Sequence, residues 1–322
     1  MNQSLVKNPN DIRIAMLGMV EGNGHPFSWS AIINGHYDQE LIANCGFPNI
    51  TEYLDSQPPA NLGIEGAKIT HIWCDHFDQA QCVARSSQIQ NIVRRPEDVI
   101  GHVDAAIVAT DIGSEHVDRV RPFLDNGVPV FIDKPLTDNR HGLKQFTAWH
   151  HEGKPFLSSS CMRYAREFFE LRDRLSEVGE VRTITVMMAK SWERYGIHAL
   201  EAVYSILPHG DYEWVINTGT NKSNVVHLHR HDKIDVILIT NNDMYGAFGL
   251  VQVAGTRGSL EAKFADTFSA FKSQLSTFIS YLRSGVAPIP FEQLRAQMAI
   301  IIAGLESRNR NCRRIYLRDI VS

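Results

Sequence analysis

Two stretches decide the fold of this 322-residue chain: Val103-Asp-Ala-Ala-Ile-Val-Ala-Thr110 and, further on, Pro129-Val-Phe-Ile-Asp-Lys-Pro135. Each is a continuous apolar run without alternation, the signature of a strand buried on both faces, and a helix-length stretch from Glu115 to Asn126 separates them. Strand, helix and strand in that order predict one βαβ unit of a parallel sheet. The second run ends in Asp133-Lys134-Pro135, which delivers an amine to a carboxyl strand end, where open α/β sheets bind their ligands.

Working outward, Arg13 to Gly18 reads as a first strand, followed by a loop holding Gly18, Gly22 and Gly24. A helix is predicted from Ser28 to Asn34, with Ser28 as its cap and Pro26 setting the turn. Residues 35–66 are polar and rich in Pro and Gly, and read as an irregular excursion. A second strand, Ile69 to Cys74, ends at Asp75; helices follow over 79–87 and 138–152, and a strand over 155–160. This alternation predicts an α/β Rossmann domain over residues 1–160, a doubly wound parallel sheet. Past Arg163 the pattern changes. Helices at 165–177, 196–207, 268–284 and 291–308 accompany strands at 181–188, 212–217, 224–231, 235–240 and 245–254, with a turn at 255–261 leading into another. Residues 161–322 therefore read as an α+β domain on one large sheet.

The composition is that of an ordinary globular protein: 43% apolar, 21% charged, net charge -4. It carries no basic excess for nucleic acid, and the longest apolar runs, such as Met298 to Gly304, are too short to span a bilayer. The N-terminal residues lack the apolar core of a secretory signal, and the five cysteines form no CxxC pair. A cytoplasmic protein with reduced thiols is expected.

Gly18, Gly22 and Gly24 between strand and helix would let backbone amides approach a pyrophosphate, helped by the helix N-terminus. The spacing is GxxxGxG rather than GxGxxG, which any Gly-rich strand–helix turn can show. Asp75, ending the second strand, suits the ribose hydroxyls of a dinucleotide, and equally suits a helix cap. A carboxylate there repels a 2′-phosphate, so NAD is expected in preference to NADP.

Taken together, these segments resemble the Gfo/Idh/MocA family of sugar and inositol dehydrogenases. The similarity runs through Val103 to Thr110, His116, Phe123-Leu-Asp-Asn-Gly-Val-Pro-Val-Phe-Ile-Asp-Lys-Pro135, Gly196-Ile-His198, Gly255-Thr-Arg-Gly-Ser-Leu-Glu261 and Phe278 to Pro288. Asp133 stands where the family usually has glutamate. The resemblance implies a Rossmann domain followed by a domain with an open, mostly antiparallel sheet, and a homodimer or homotetramer formed through that sheet. It also implies hydride transfer between a nicotinamide and a sugar, inositol or sugar-acid derivative. By the same resemblance Lys134 and His198 are catalytic, a cis bond before Pro135 is expected, and Thr110, His116, Asp133 and Lys134 line the cofactor. Chemically, Lys134 suits a cation that steadies an alkoxide, or a base as well if burial lowers its pKa; His198 suits proton exchange with a hydroxyl.

Four residues before His198 the family usually has aspartate, whereas this chain has Arg194, flanked by Glu193 and Tyr195. An arginine can fork onto a carboxylate, which raises acidic sugars and hydroxy acids as substrates; Arg194 pointing to solvent is the other reading. Arg163 could meet cofactor or substrate, or form a structural ion pair. His227, His229 and His231 alternate along one strand and more often line a polar sheet surface than a metal, and no metal site is expected. Trp149 and Trp192 could stack on a sugar or pack internally. Arg308, Arg310, Arg313 and Arg314 read as a solvated helix end. A nucleotide-binding sensor without turnover is the alternative function, and an aldehyde- or imine-reducing enzyme a third.

Overall fold

The structure is a computed structural model that describes residues 3–207 and 210–321. Its first sheet holds β1 (Ile12–Leu17), β2 (Ala67–Trp73), β3 (Asn91–Ile92), β4 (Ala105–Val108), β5 (Val130–Ile132) and β6 (Phe156–Ser158). All pair in parallel, in the order β3-β2-β1-β4-β5-β6. Every residue of β4 and β5 is buried, which is why those segments show no polar alternation. The strand order reverses between β1 and β4, the switch point at which open sheets of this kind leave a crevice.

The connecting helices are α1 (His25–Asn34), α2 (Gln39–Ala43), α3 (Pro48–Asp55), α4 (Phe77–Ser86), α5 (His116–Asp125) and α6 (Arg140–His151). Helix α1 begins three residues before the predicted start. Pro26 fits its first turn, Gly24 is the cap, and Ser28 is buried inside the helix instead of capping it. Nor is the 35–66 stretch irregular throughout. It holds α2 and α3, whose Ile42, Ile50 and Leu54 are buried, and Asp38 caps α2 by accepting from the Leu41 amide.

The second sheet comprises β7 (Val181–Ala189), β8 (Tyr212–Asn217), β9 (Ser223–Arg230), β10 (Asp235–Asn241), β11 (Leu250–Gly255), β12 (Ser259–Lys263) and β13 (Ile315–Tyr316), in the order β12-β11-β7-β10-β9-β8-β13. Only the β7–β10 pairing among these is parallel. The strand predicted from 245 starts at Leu250 because Tyr245–Ala247 forms a 3₁₀ turn. Alternate residues of β9 and β10 are buried, so one face of this sheet meets α8 (Trp192–Ile206) and α10 (Phe291–Asn309) while the other stays open. The helices α7 (Arg166–Asp173), α9 (Thr267–Ser284) and α11 (Arg318–Val321) complete the chain, α7 being shorter than predicted because a 3₁₀ turn follows it. No described helix is long and apolar enough to cross a membrane, and all five cysteines are free.

Candidate active site

After β1 the chain turns at Gly18 with φ +83°, a conformation that only glycine adopts without strain. A Cβ there would lie 2.7 Å from Cγ2 of Thr110, at the end of β4. Gly18→Ala is therefore expected to cost about 1–3 kcal/mol and to weaken dinucleotide binding, as read by denaturant unfolding and calorimetry. Gly24 answers a different demand. Its Cβ would meet Ile50 at 2.6 Å and Phe47 at 2.8 Å, so the glycine lets α3 and its lead-in close on the start of α1.

Asp133, at the end of β5, is fully buried. Its Oδ2 accepts from Asn23 Nδ2 at 2.9 Å and lies 2.6 Å from His25 Nδ1, while Oδ1 accepts from the Lys134 amide at 2.8 Å. The carboxylate thus braces the glycine loop from beneath. The next peptide bond, Lys134–Pro135, is cis, as the resemblance implied. Lys134 itself is 2% exposed, with Nζ 3.3 Å from Oδ2 of Asp111, which is 1% exposed, and 4.4 Å from the centre of the Tyr195 ring. Burial opposes the charge on Lys134, but Asp111, with Tyr195 and Asp133 behind it, holds the ammonium above its ordinary value. Burial would likewise raise the Asp111 carboxyl, yet Lys134 and Arg194 hold it far below the usual carboxylate range. The part Lys134 can play is that of a fixed cation; the structure gives no support to the base role that a lowered pKa would allow.

From the other side of the crevice, β7 ends at Ala189 and α8 begins at Trp192. Arg194, in its first turn, points inward. Its Nε donates to Asp111 Oδ2 at 3.0 Å and its Nη2 to Oδ1 at 2.6 Å, and Nη2 also reaches the Glu21 carbonyl in the glycine loop at 3.1 Å. Lys190 donates to the Tyr195 hydroxyl at 2.7 Å and the Gly22 carbonyl at 3.3 Å. The Tyr195 ring lies 4.8 Å from that of His198, centre to centre. One turn along α8, His198 places Nδ1 2.5 Å from Ser160 Oγ, which in turn accepts from the Met162 amide. Burial, then the nearby Lys134 charge, push the imidazole well below its ordinary value, so it is neutral in the folded protein. Lys134, just after β5, and His198, on α8, thus both lie beside the Tyr195 ring.

Other predicted residues sit elsewhere. Arg163 forms an ion pair with fully buried Glu201 at 2.5 Å, the structural one of its two readings. Glu193 faces α10 and pairs with Arg308, so Arg308 is not part of a solvated helix end. Trp149 and Trp192 are buried, which removes them as sugar platforms. His116 is buried with its two ring nitrogens 2.8 Å and 3.1 Å from the Thr110 and Leu136 carbonyls, bracing β4 against the turn after β5. His227 and His229 share Oδ1 of Asp235, at 2.9 and 3.2 Å, and His231 lies beyond the strand. Among the described residues no group of three His, Cys, Asp or Glu side chains is arranged to hold a metal ion.

Residues 41–154 match a family described as GFO_IDH_MocA, an oxidoreductase family with an NAD-binding Rossmann fold. That stretch is similar to the Gfo/Idh/MocA family, and β1 and the glycine loop lie before it. The whole chain is similar in fold to solved dehydrogenases. They include scyllo-inositol dehydrogenase of Lactobacillus casei with bound NAD(H) and scyllo-inositol (TM-score 0.72, 13% identity, covering 96% of this chain and 99% of that one). Others are myo-inositol 2-dehydrogenase of Lactobacillus plantarum (0.70, 13%, 95% and 99%) and a myo-inositol dehydrogenase of Corynebacterium glutamicum (0.68, 16%, 95% and 99%). No curated protein matches the sequence.

The carboxyl edge of the first sheet fits a dinucleotide in two respects. Gly18 brings bare backbone against the end of β4, and the buried Thr110 Oγ1 has no hydrogen-bond partner among the described residues. One residue fits less simply. Both oxygens of Asp75 accept from Arg119 on α5, at 2.9 and 3.3 Å, so the carboxylate expected to exclude a 2′-phosphate has a cation beside it. Arg119, Asp111, Ser160, Asn23 and His25 were missed in the sequence. Only Asp111 left a trace there, an acid directly after the Thr110 that ends an apolar strand.

Proposed function

We propose that the chain is an NAD(P)-dependent oxidoreductase that interconverts a hydroxyl and a carbonyl on a sugar, inositol or sugar-acid derivative. The observation that carries this reading is a buried, charged Lys134 and a buried, neutral His198 beside one Tyr195 ring, 4.4 Å from the amine and 4.8 Å from the imidazole, near the carboxyl ends of a parallel sheet. The fold shared with an inositol dehydrogenase solved with NAD(H) and scyllo-inositol supports it. When bound, a nicotinamide would supply the two-electron acceptor or donor that no side chain offers.

Gly18, Gly22 and the start of α1 would hold the pyrophosphate, Asp75 with Arg119 the adenosine ribose, and Thr110 the end nearer β4. Lys134 stabilises negative charge developing on the substrate oxygen and, being fixed by Asp111, needs no reorganisation to do so. His198, uncharged, takes the hydroxyl proton in oxidation and returns it in reduction, while Ser160 fixes its ring. A cytoplasmic homo-oligomer remains our expectation; the open face of the second sheet, bearing Ile237, Ile239 and half-exposed Val225, supports self-association there.

Titration with NADH and NADPH, followed by fluorescence, then turnover with inositols, aldoses and sugar acids read at the nicotinamide band, tests the proposal. Saturable binding with substrate-dependent absorbance change is expected. Absence of binding would refute the dinucleotide reading. Binding without turnover across the panel would favour the non-catalytic sensor, a second reading favoured by Arg194 standing where the family usually carries a carboxylate.

A further inference from the structure

The charge balance around the crevice is uneven. Lys134, Arg194 and Lys190 bring three cations to the Tyr195 ring and its surroundings, the two lysines lying 4.4 and 4.6 Å from the ring centre. Asp111 answers Lys134 and Arg194 together with a single carboxylate. Asp133, fully buried close by, adds a second carboxylate, and Glu193 is turned away to Arg308, so the three cations outnumber the acids by one. A second observation is independent of charge. Lys190 has φ +65°, a left-handed backbone that a lysine adopts at a cost, and this aims its amine at the glycine loop from the very end of β7.

We infer that the substrate carries a carboxylate beside the reacting hydroxyl, as in an aldonate, a uronate or a smaller hydroxy acid, with Arg194 and Lys190 as the residues that recognise it. The inference rests on the oxidoreductase reading above and narrows its substrate class. Arg194 is 30% exposed on its side chain, enough to meet a ligand. Its pairing with Asp111 through Nε and Nη2, and with the Glu21 carbonyl through Nη2, orients the planar guanidinium and leaves Nη1 as the donor for an incoming carboxylate. A neutral polyol would leave the excess positive charge uncompensated in a partly desolvated site.

The test compares matched probes: D-gluconate and D-glucuronate against D-glucose and myo-inositol. Calorimetric binding to the NADH-loaded protein is measured alongside kcat and KM. The acids are expected to bind and turn over with kcat/KM about 100-fold above the neutral compounds, their KM rising with ionic strength. Lys190→Met, which leaves the Asp111–Lys134 pair in place, should lower the acid-to-neutral ratio by about tenfold through KM; Arg194→Met should lower it further, and Arg194→Lys should restore part. Equal or better use of neutral polyols would overturn the inference and leave the oxidoreductase reading standing. It would also be overturned if Lys190→Met and Arg194→Met weakened NADH binding with the acid-to-neutral ratio unchanged, because the cations would then serve the pyrophosphate. Failure of the wild-type protein to bind either dinucleotide would instead remove the reading itself, and this inference with it.

Discussion

Lys134→Met is expected to leave a folded protein that still binds NADH but turns over about a thousandfold more slowly. Methionine preserves most of the volume of the buried stem, and Asp111 keeps its bidentate bond to Arg194, so the loss falls on chemistry more than on stability. The loss is expected in kcat, because a cation fixed at the reacting oxygen acts most strongly as negative charge develops there. A pre-steady-state comparison of the two proteins, with unfolding curves as control, checks this. Unchanged kcat in the variant would remove Lys134 from the reaction centre.

Asp111→Ala should act mainly on the fold. It leaves the Lys134 ammonium, 2% exposed, without its carboxylate partner, and an uncompensated buried charge of this kind costs about 3–5 kcal/mol. That is a large share of the roughly 5–15 kcal/mol by which a domain is stable. Denaturant midpoints measure it. The pH dependence follows from the depressed carboxyl of the folded state. Asp111 stabilises the native protein wherever the unfolded chain would already be ionised, above about pH 4, and this contribution is lost as acid protonates it in the folded state. The wild-type protein should therefore lose stability below about pH 4 more steeply than Asp111→Ala. Parallel acid-unfolding curves would contradict the assignment.

Much of the first sheet could be read from the chain alone because burial on both faces writes itself as unbroken apolar runs. Val103 to Thr110 and Pro129 to Ile132 carry that mark, and Lys134 is legible because a charge directly after such a run has few places to go. The glycine loop was singled out by its place between a strand and a helix, and His198 through the family resemblance alone. Helices α2 and α3 were not. Each is short, and the Pro and Gly residues around them obscure the spacing of Ile42, Ile50 and Leu54 that buries one side. Asp111 escaped because what makes it matter lies far off in the chain, at Lys134 and at Arg194 on a different domain's helix. The same holds for Arg119, whose meeting with Asp75 depends on how α5, packed on β4 and β5, lies beside the end of β2. Long-range ion pairs have no period and no local signature. Only the fold brings them together.

Phe47 and Ile50 occupy the space that any side chain at position 24 would need. The short helical insert therefore acts as a backstop to the hinge between β1 and α1, limiting how far that turn can swing outward. Two chains alike in every reacting side chain, but differing in the length of this insert, would grip a dinucleotide with different tightness. On the function proposed above, a segment that carries no chemistry of its own would help set coenzyme affinity.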